Sequence, residues 1–421
     1  MDKRDFLRTI GGAMSAAILG NSVTASSQPS GSLPGSLPGP PTEPPDFWVQ
    51  LRKRYALPKD RIDLEHGYYS RMSNDVLEAF VGHVRSINTD AAFYMRTRQA
   101  DDKNAARTAV AELAGCATDE LIITRNTTES LDTIIAGQPW QAGDQAVMAQ
   151  QDYGAMLLMF EQVGRRHGVE NRAVSLPMDP KSDEEIVELY ASAITKKTRL
   201  LMVSHIVNIT GHVMPVKKIV EMAHSKNVLV MVDGAHAFAH LDFKIPDLGC
   251  DYYGASLHKW LGCPLGAGIL YVRKQRVKEL WPMYGDHHAE DSIDKLNHTG
   301  THPVHTDLAI LDAIRLHREI GAERKEKRLR WLQKYWTDQA RKLPKVLLNT
   351  PTDPARTCAI ANVGIEGLRP HELAKKLLDE HRIFTVAINA AGVHGVRVTP
   401  HLYTTTEELD AFVQALRDCT P

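Results

Sequence analysis

Residues 228–260 read VLVMVDGAHAFAHLDFKIPDLGCDYYGASLHKW. The run Val228 to Val232 is apolar and rich in β-branched residues, and it stops at Asp233. Such a run, closed by a polar residue, has the pattern of a strand buried on both faces. A carboxylate at its end is costly unless a cation or hydrogen-bond donors meet it. Similar short runs lie on both sides: Leu121 to Thr124, Gln145 to Ala149, Arg199 to Ser204 and Ala267 to Arg273. Between two of them, Val216 to Asn227 has helical spacing. The alternation predicts an α/β fold whose mostly parallel sheet is covered by helices on both faces.

Further along, Thr306 to Leu343 reads as one long or broken helix. Thr357 to Val363, His371 to Glu380, Arg382 to Ile388, Val396 to Thr399 and Thr406 to Arg417 then give a β-α-β-β-α order. This predicts a smaller C-terminal α/β domain, with Pro344 and Pro351 in the boundary region. The expected division is 1–27 leader, 28–46 flexible linker rich in Pro, Gly and Ser, 47–78 N-terminal segment of the small domain, 79–306 large domain and 307–421 small domain.

In open α/β sheets the ligand crevice lies just beyond the carboxyl ends of the strands. Four polar groups fall there. Arg125-Asn-Thr-Thr-Glu-Ser130 opens a helix, where backbone N–H groups make an anion site. Asn126 and Glu129 also have capping-box spacing, so the segment reads equally as an ordinary helix cap. Ser204-His-Ile-Val-Asn-Ile-Thr-Gly211 places Asn208 after a buried strand, where it could also be a turn residue. Asp233-Gly-Ala-His236 and Ser256-Leu-His-Lys259 complete the set; Asp233 alone could be a helix N-cap.

In their order and spacing these motifs resemble the class V aminotransferase family of fold-type-I enzymes that use pyridoxal phosphate (PLP). Cysteine desulfurases and isopenicillin-N-epimerase-like proteins belong to it. Leu64-Glu-His-Gly-Tyr-Tyr-Ser70 and Val396-Arg-Val-Thr-Pro-His-Leu-Tyr403 extend the resemblance, which spans roughly Asp63 to Phe412. It implies a mostly parallel, seven-stranded-type sheet in the large domain. It implies that Lys259 holds the cofactor as a Schiff base and that Asp233 pairs with its ring nitrogen. Thr127, Thr128, Ser256 and His258 would hold its phosphate, and Asn208 and His236 would lie along its 3′-oxygen edge. Tyr153 would stack on the ring, and Arg397 would bind the substrate α-carboxylate through its planar fork. Thr301, in Gly300-Thr-His302, would reach the phosphate from a second subunit, making a homodimer with shared sites. Tyr68, Tyr69, Arg96, Arg98 and Tyr403 are further substrate-side candidates.

The chain has 421 residues and a formal net charge of −1, without the basic excess of a nucleic-acid or membrane-surface protein. Its five cysteines, Cys116, Cys250, Cys263, Cys358 and Cys419, show no metal-binding spacing. His287 and His288 adjoin, but no third ligand stands out in sequence, so a solvated loop is expected and no metal. The mixed-sign run Glu323 to Arg330 reads as a solvated helix face. At the start, Lys3-Arg-Asp-Phe-Leu-Arg8 precedes a short apolar stretch, Thr9 to Gly20, and small residues at Val23-Thr-Ala25. That is signal-peptide anatomy. It resembles a twin-arginine leader with Lys at the first position, which implies folded export by that machinery to the periplasm. No other segment is apolar enough to span a membrane.

Transamination at the Cα of an amino acid or peptide-type substrate is the expected chemistry, with epimerisation as the alternative. Desulfuration needs a thiol near Arg397, and Ile388-Asn-Ala-Ala-Gly-Val-His-Gly395 contains none. A non-catalytic relative would lack Lys259 or its partners. A nicotinamide enzyme would need a GxGxxG after a strand, which is absent.

Overall fold

The structure is a computed structural model. It describes residues 44–420, which lie within one unit, Gly39–Pro421. The leader expected at 1–27 and most of the 28–46 linker fall outside the described residues.

In chain order the elements are α1 (Pro44–Lys53), β1 (Ile62–Asp63), α2 (Asn74–Thr97), α3 (Gln99–Ala114), β2 (Leu121–Thr124), α4 (Thr127–Gly137), β3 (Gln145–Ala149), α5 (Gly154–His167), β4 (Glu170–Val174), α6 (Asp183–Ala193), β5 (Thr198–Ser204), α7 (Val216–Ser225), β6 (Leu229–Asp233), β7 (Tyr252–Ser256) and β8 (Gly268–Val272). There follow α8 (Val304–Ile320), α9 (Ala322–Ala340), β9 (Val346–Leu348), β10 (Ala361–Ile365), α10 (Pro370–His381), β11 (Ile383–Phe384), β12 (Val386–Ala390), β13 (Val393–Val398) and α11 (Thr406–Cys419).

The apolar runs become one seven-stranded sheet in the order β2-β8-β7-β6-β5-β3-β4. All neighbours are parallel except β8, which runs antiparallel to β7 and β2. Met148, Met202, Met231, Leu270 and the inner faces of α4 and α5 share one core. The edge strand β4 escapes the periodicity because its Glu-Asn-Arg-Ala-Val is mostly exposed and polar. The long helical run after 304 breaks at Gly321, whose φ of 86° needs glycine.

A second sheet, β12-β13-β10-β9, is antiparallel and packs against α9, α10 and α11 around Trp336, Leu373 and Phe412. The strand expected from Thr357 opens only at Ala361, and Cys358 is buried just before it. The N-terminal strand β1 pairs in parallel with β11, and Glu65 bridges to Thr399. This brings residues 64–69 beside the carboxyl ends of the large sheet. Among the described residues no helix is long and apolar enough to cross a membrane.

Candidate active site

Five parallel strands and their connections aim polar residues at one place. The register pairs Ser204 with Asp233, and Asp233 with Gly254, so β5, β6 and β7 end in step. After β6 the chain turns at once, and Gly234 N–H donates to Gly254 O (2.8 Å). A Cβ at Gly234 would lie 2.0 Å from the Tyr253 ring, so only glycine permits this turn. The same close approach recurs at Gly268, where a Cβ would meet the Asn126 backbone at 2.7 Å; it brings the start of α4 onto β8.

The cavity formed there has a volume of about 190 Å³. Asp233, His236 and Lys259 line its floor. Thr127, Thr128, Ser256 and His258 line one wall, and Asn208 and Tyr153 line another. Tyr68 and Tyr69 close the side facing the N-terminal segment. Sequence reasoning missed Met156, Ile206 and Ala235, which also line it and carry no chemical signature of their own.

Lys259 Nζ lies 3.2 Å from His236 Nε2. Burial pulls the lysine down to about 8, with Asp233 opposing and Arg397 assisting the fall. Burial also holds His236 well below the ordinary histidine value, so its ring is neutral. Asp233 Oδ1 accepts the Ala235 N–H (2.9 Å). Burial raises the Asp233 carboxyl, while that hydrogen bond and Lys259 restrain the rise. His240 fixes the backbone beneath: its Nε2 accepts Ala359 N–H (3.1 Å), so Nδ1 donates to His236 O (2.7 Å).

At the other wall, Thr127 N–H donates to Ser256 Oγ (2.9 Å), and the two hydroxyl oxygens lie 2.7 Å apart. Asn126 caps α4 through Glu129 N–H (2.9 Å). The helix start therefore presents hydroxyls and positive dipole to the cavity, an arrangement suited to a phosphate. Capping by Asn126 leaves these groups facing the cavity. His258 is held neutral by burial, near 4, and its Nδ1 is buried with no hydrogen-bond partner.

A residue that sequence reasoning passed over positions Tyr153. Asp152 accepts Ala149 N–H (2.8 Å) and Ser204 O–H (2.6 Å), joining the ends of β3 and β5. Burial raises it to about 7. Its sequence signal is a carboxylate shortly after an apolar strand, as at Asp233.

Arg397 is fully buried on β13 and does not line the cavity. Its fork is held by Glu65, with Nε–Oε2 at 2.9 Å and Nη2–Oε1 at 2.7 Å, while Nη1 donates to Asn208 O (3.0 Å). Thr301 is exposed and lies apart from the cavity, as do Arg96 and Arg98. Tyr403 is buried against His66 and His401. Near Thr301, folding does supply His287 with further donors: Asp286, His287 and His298 offer ligand atoms within 4.8 Å of one another. The Asp286 carboxylate already engages His288 (2.7 Å) and His298 (3.1 Å). A larger cavity of about 750 Å³, lined by Arg199, His224 and Arg276, lies at the opposite strand ends and contains none of the constellation.

The donor set fits pyridoxal phosphate on three counts. A buried carboxylate shares the cavity with a lysine that burial has pulled down to about 8. A helix start with two hydroxyls faces the same space. The buried Nδ1 atoms of His236 and His258 have no protein partner to satisfy them.

The family model for aminotransferase class-V matches residues 70–412. The isopenicillin N epimerase of Streptomyces clavuligerus is 27% identical over 391 residues, covering 88% of this chain and 97% of that protein. A probable cysteine desulfurase of Halalkalibacterium halodurans is 26% identical over 371 residues, covering 81% and 88%. The solved structure of a mutant C-DES, with glycine covalently linked to its PLP cofactor, has a TM-score of 0.78 at 22% identity, covering 86% of this chain and 97% of the other. The α/β fold and the use of pyridoxal phosphate follow, and the chain belongs to the aminotransferase class-V family.

Proposed function

We propose that this protein moves a proton at the carbon bearing its substrate's amine, and that it does so as an epimerase. The observation that carries the reading is the Lys259–His236–Asp233 floor of one buried cavity. Pyridoxal phosphate, when bound, withdraws electrons from that carbon. Asp233 holds a hydrogen-bond donor at the inner end of the cavity. The hydroxyls of Thr127 and Ser256, at the start of α4, hold the phosphate. Lys259 Nζ, with its value near 8, would exchange the proton on one face of that carbon near neutral pH, and inversion requires a second proton donor at the opposite face.

Transamination, expected from the sequence, has less support than epimerisation: the 97% coverage of an isopenicillin N epimerase favours the latter. Desulfuration is disfavoured by chemistry. The turn between β12 and β13, where Gln151 donates to Ala391 O (3.3 Å), carries no thiol. Burial raises the thiols of Cys250 and Cys358 to about 12, far from the reactive thiolate. Thr301 would enter the cavity of a second copy of the chain, and a leader at 1–27 would carry the folded protein to the periplasm. Crosslinked dimers and cell fractionation test these two.

Incubation with amino-acid and peptide substrates in deuterated water, followed by chiral analysis, decides the reaction. Deuterium incorporation with inversion at Cα supports epimerisation. A 2-oxo product without inversion would make the protein a transaminase, and released sulfide a desulfurase.

A further inference from the structure

We infer that Asp286, His287 and His298 form a zinc site, and that the metal fastens the connection between β8 and α8 from Asp286 to His298. The site lies apart from the cavity lined by Lys259 and is independent of the reaction proposed above.

Three ligand atoms are already gathered. A carboxylate oxygen of Asp286 and one ring nitrogen each of His287 and His298 all lie within 4.8 Å of one another. Asp286 Oδ2 and His298 Nδ1 are 3.1 Å apart. Two ligands bound at about 2.0–2.1 Å to one tetrahedral zinc lie about 3.4 Å apart, so this pair needs almost no movement. The exposed His287 ring can turn to close the rest. Two imidazoles and one carboxylate, with one position left over, make a zinc donor set, whereas magnesium and calcium take oxygen ligands.

The carboxylate itself calls for a cation. The Asp286 side chain is 2% exposed, although the residues on both sides of it are exposed. Its ion-pair partners among the described residues are His288 and His298, with no lysine or arginine. A carboxylate removed from water is costly unless hydrogen bonds and a cation meet it. One oxygen has its hydrogen bonds: Oδ1 accepts His288 N–H (2.6 Å) and lies 2.7 Å from His288 Nδ1. Oδ2 is buried with no hydrogen-bond partner, on the side of His298. His288 thus orients the carboxylate by one oxygen and leaves the other for the metal, as a supporting group does for a ligand.

The surrounding packing holds the ligands in reach. Between them the chain dips into the large core through Ile293 and Leu296, so His298 stands two residues from a fixed point. A cavity of about 500 Å³, lined by His287, His298, Lys103 and Asn104, leaves room for a water as fourth ligand. The chain then runs directly into Gly300 and Thr301, so the metal sets where that segment starts.

The test uses protein loaded with pyridoxal phosphate, stripped of metal by a chelator and dialysed. Zinc is titrated in competition with a chromophoric chelator, and cobalt(II) absorption reports the ligand set. Wild type should take one zinc per chain. Asp286→Asn, His287→Ala and His298→Ala should each weaken that binding by at least about a hundredfold, the upper end of what loss of a supporting group costs, and His288→Ala by about tenfold or more. His298→Gln fills the space of the ring and should bind as poorly as His298→Ala, which separates a lost ligand from a local folding defect. Zinc should also slow backbone hydrogen exchange across residues 286–298 in wild type and leave His298→Ala unchanged. Wild type that binds zinc no more tightly than the three ligand variants would overturn the inference and leave Asp286 as the partner of protonated histidines. Zinc bound at the triad without slowed exchange would overturn the fastening.

Discussion

Two buried arrangements lie side by side at the carboxyl ends of the large sheet. In the cavity, Lys259, Asp233, His236 and His258 are short of partners: two histidine nitrogens have none, and Asp233 is hydrogen-bonded by Ala235 alone. Behind Tyr68, Arg397 and Glu65 are joined to each other and to three backbone groups. Buried polar groups cost free energy until they are satisfied. The first arrangement turns its polar groups toward a cavity, and the second turns them toward each other. The contrast turns residues that sequence alone would place together in one site into two separate roles.

The largest effects should come from the cavity side. Lys259→Ala is expected to abolish covalent attachment of pyridoxal phosphate; borohydride reduction and peptide mapping of wild type should put the label on Lys259. A label on another lysine would break the comparison at its base. Asp233→Asn should keep part of the cofactor and lose turnover by on the order of a hundredfold or more, the scale of removing one preorganised charge. Turnover within a few-fold of wild type would show that Asp233 only caps the turn after β6.

The cavity side was the more legible in the sequence. Asp233, His236, Ser256 and Lys259 lie within 27 residues of chain, at the ends of apolar strands whose register is set by their neighbours. Local pattern suffices when strand ends define the crevice. The other side was not legible, because Glu65 and Arg397 are 332 residues apart and meet only through β1, β11 and β13. A glutamate after Leu64 and an arginine on a strand each look like any charged residue. The same limit hid Asp286 and His298 beside His287, and the polar edge strand β4.

A middle-sized effect concerns both regions together. Burial lowers ten histidines among the described residues, including His236 and His258 on one side and His66 and His401 on the other. Four carboxyls, those of Asp132, Asp152, Asp233 and Asp307, are raised by burial. A lowered histidine binds its proton in the unfolded chain first, so stability falls as pH drops below about 6.5 toward 3 or 4. The raised carboxyls act oppositely, stabilising the fold as pH falls through about 6 to 7 toward 4. Ten rings outweigh four carboxyls, so Tm should fall by at least about 5 °C between pH 7 and 4.5. A Tm that holds or rises would mean that several of these rings are charged in the fold.

The smallest effect is at the wall between the regions. Tyr68 lines the cavity with one side and covers Arg397 with the other. If its role is the ring face over the cation, Tyr68→Phe keeps it and Tyr68→Leu loses it. Leucine should then cost about 0.5–2 kcal/mol of unfolding free energy, the range for a cation on an aromatic face, while phenylalanine costs little. Chemical denaturation of the three proteins measures this. If phenylalanine instead matches leucine, the hydroxyl matters, and Tyr68 belongs with the groups that face the cavity. Equal stability with lower turnover in both variants would likewise move the wall to the cavity side. Only a loss confined to leucine leaves Arg397 covered by an aromatic face, with Tyr68 as the boundary between the two regions.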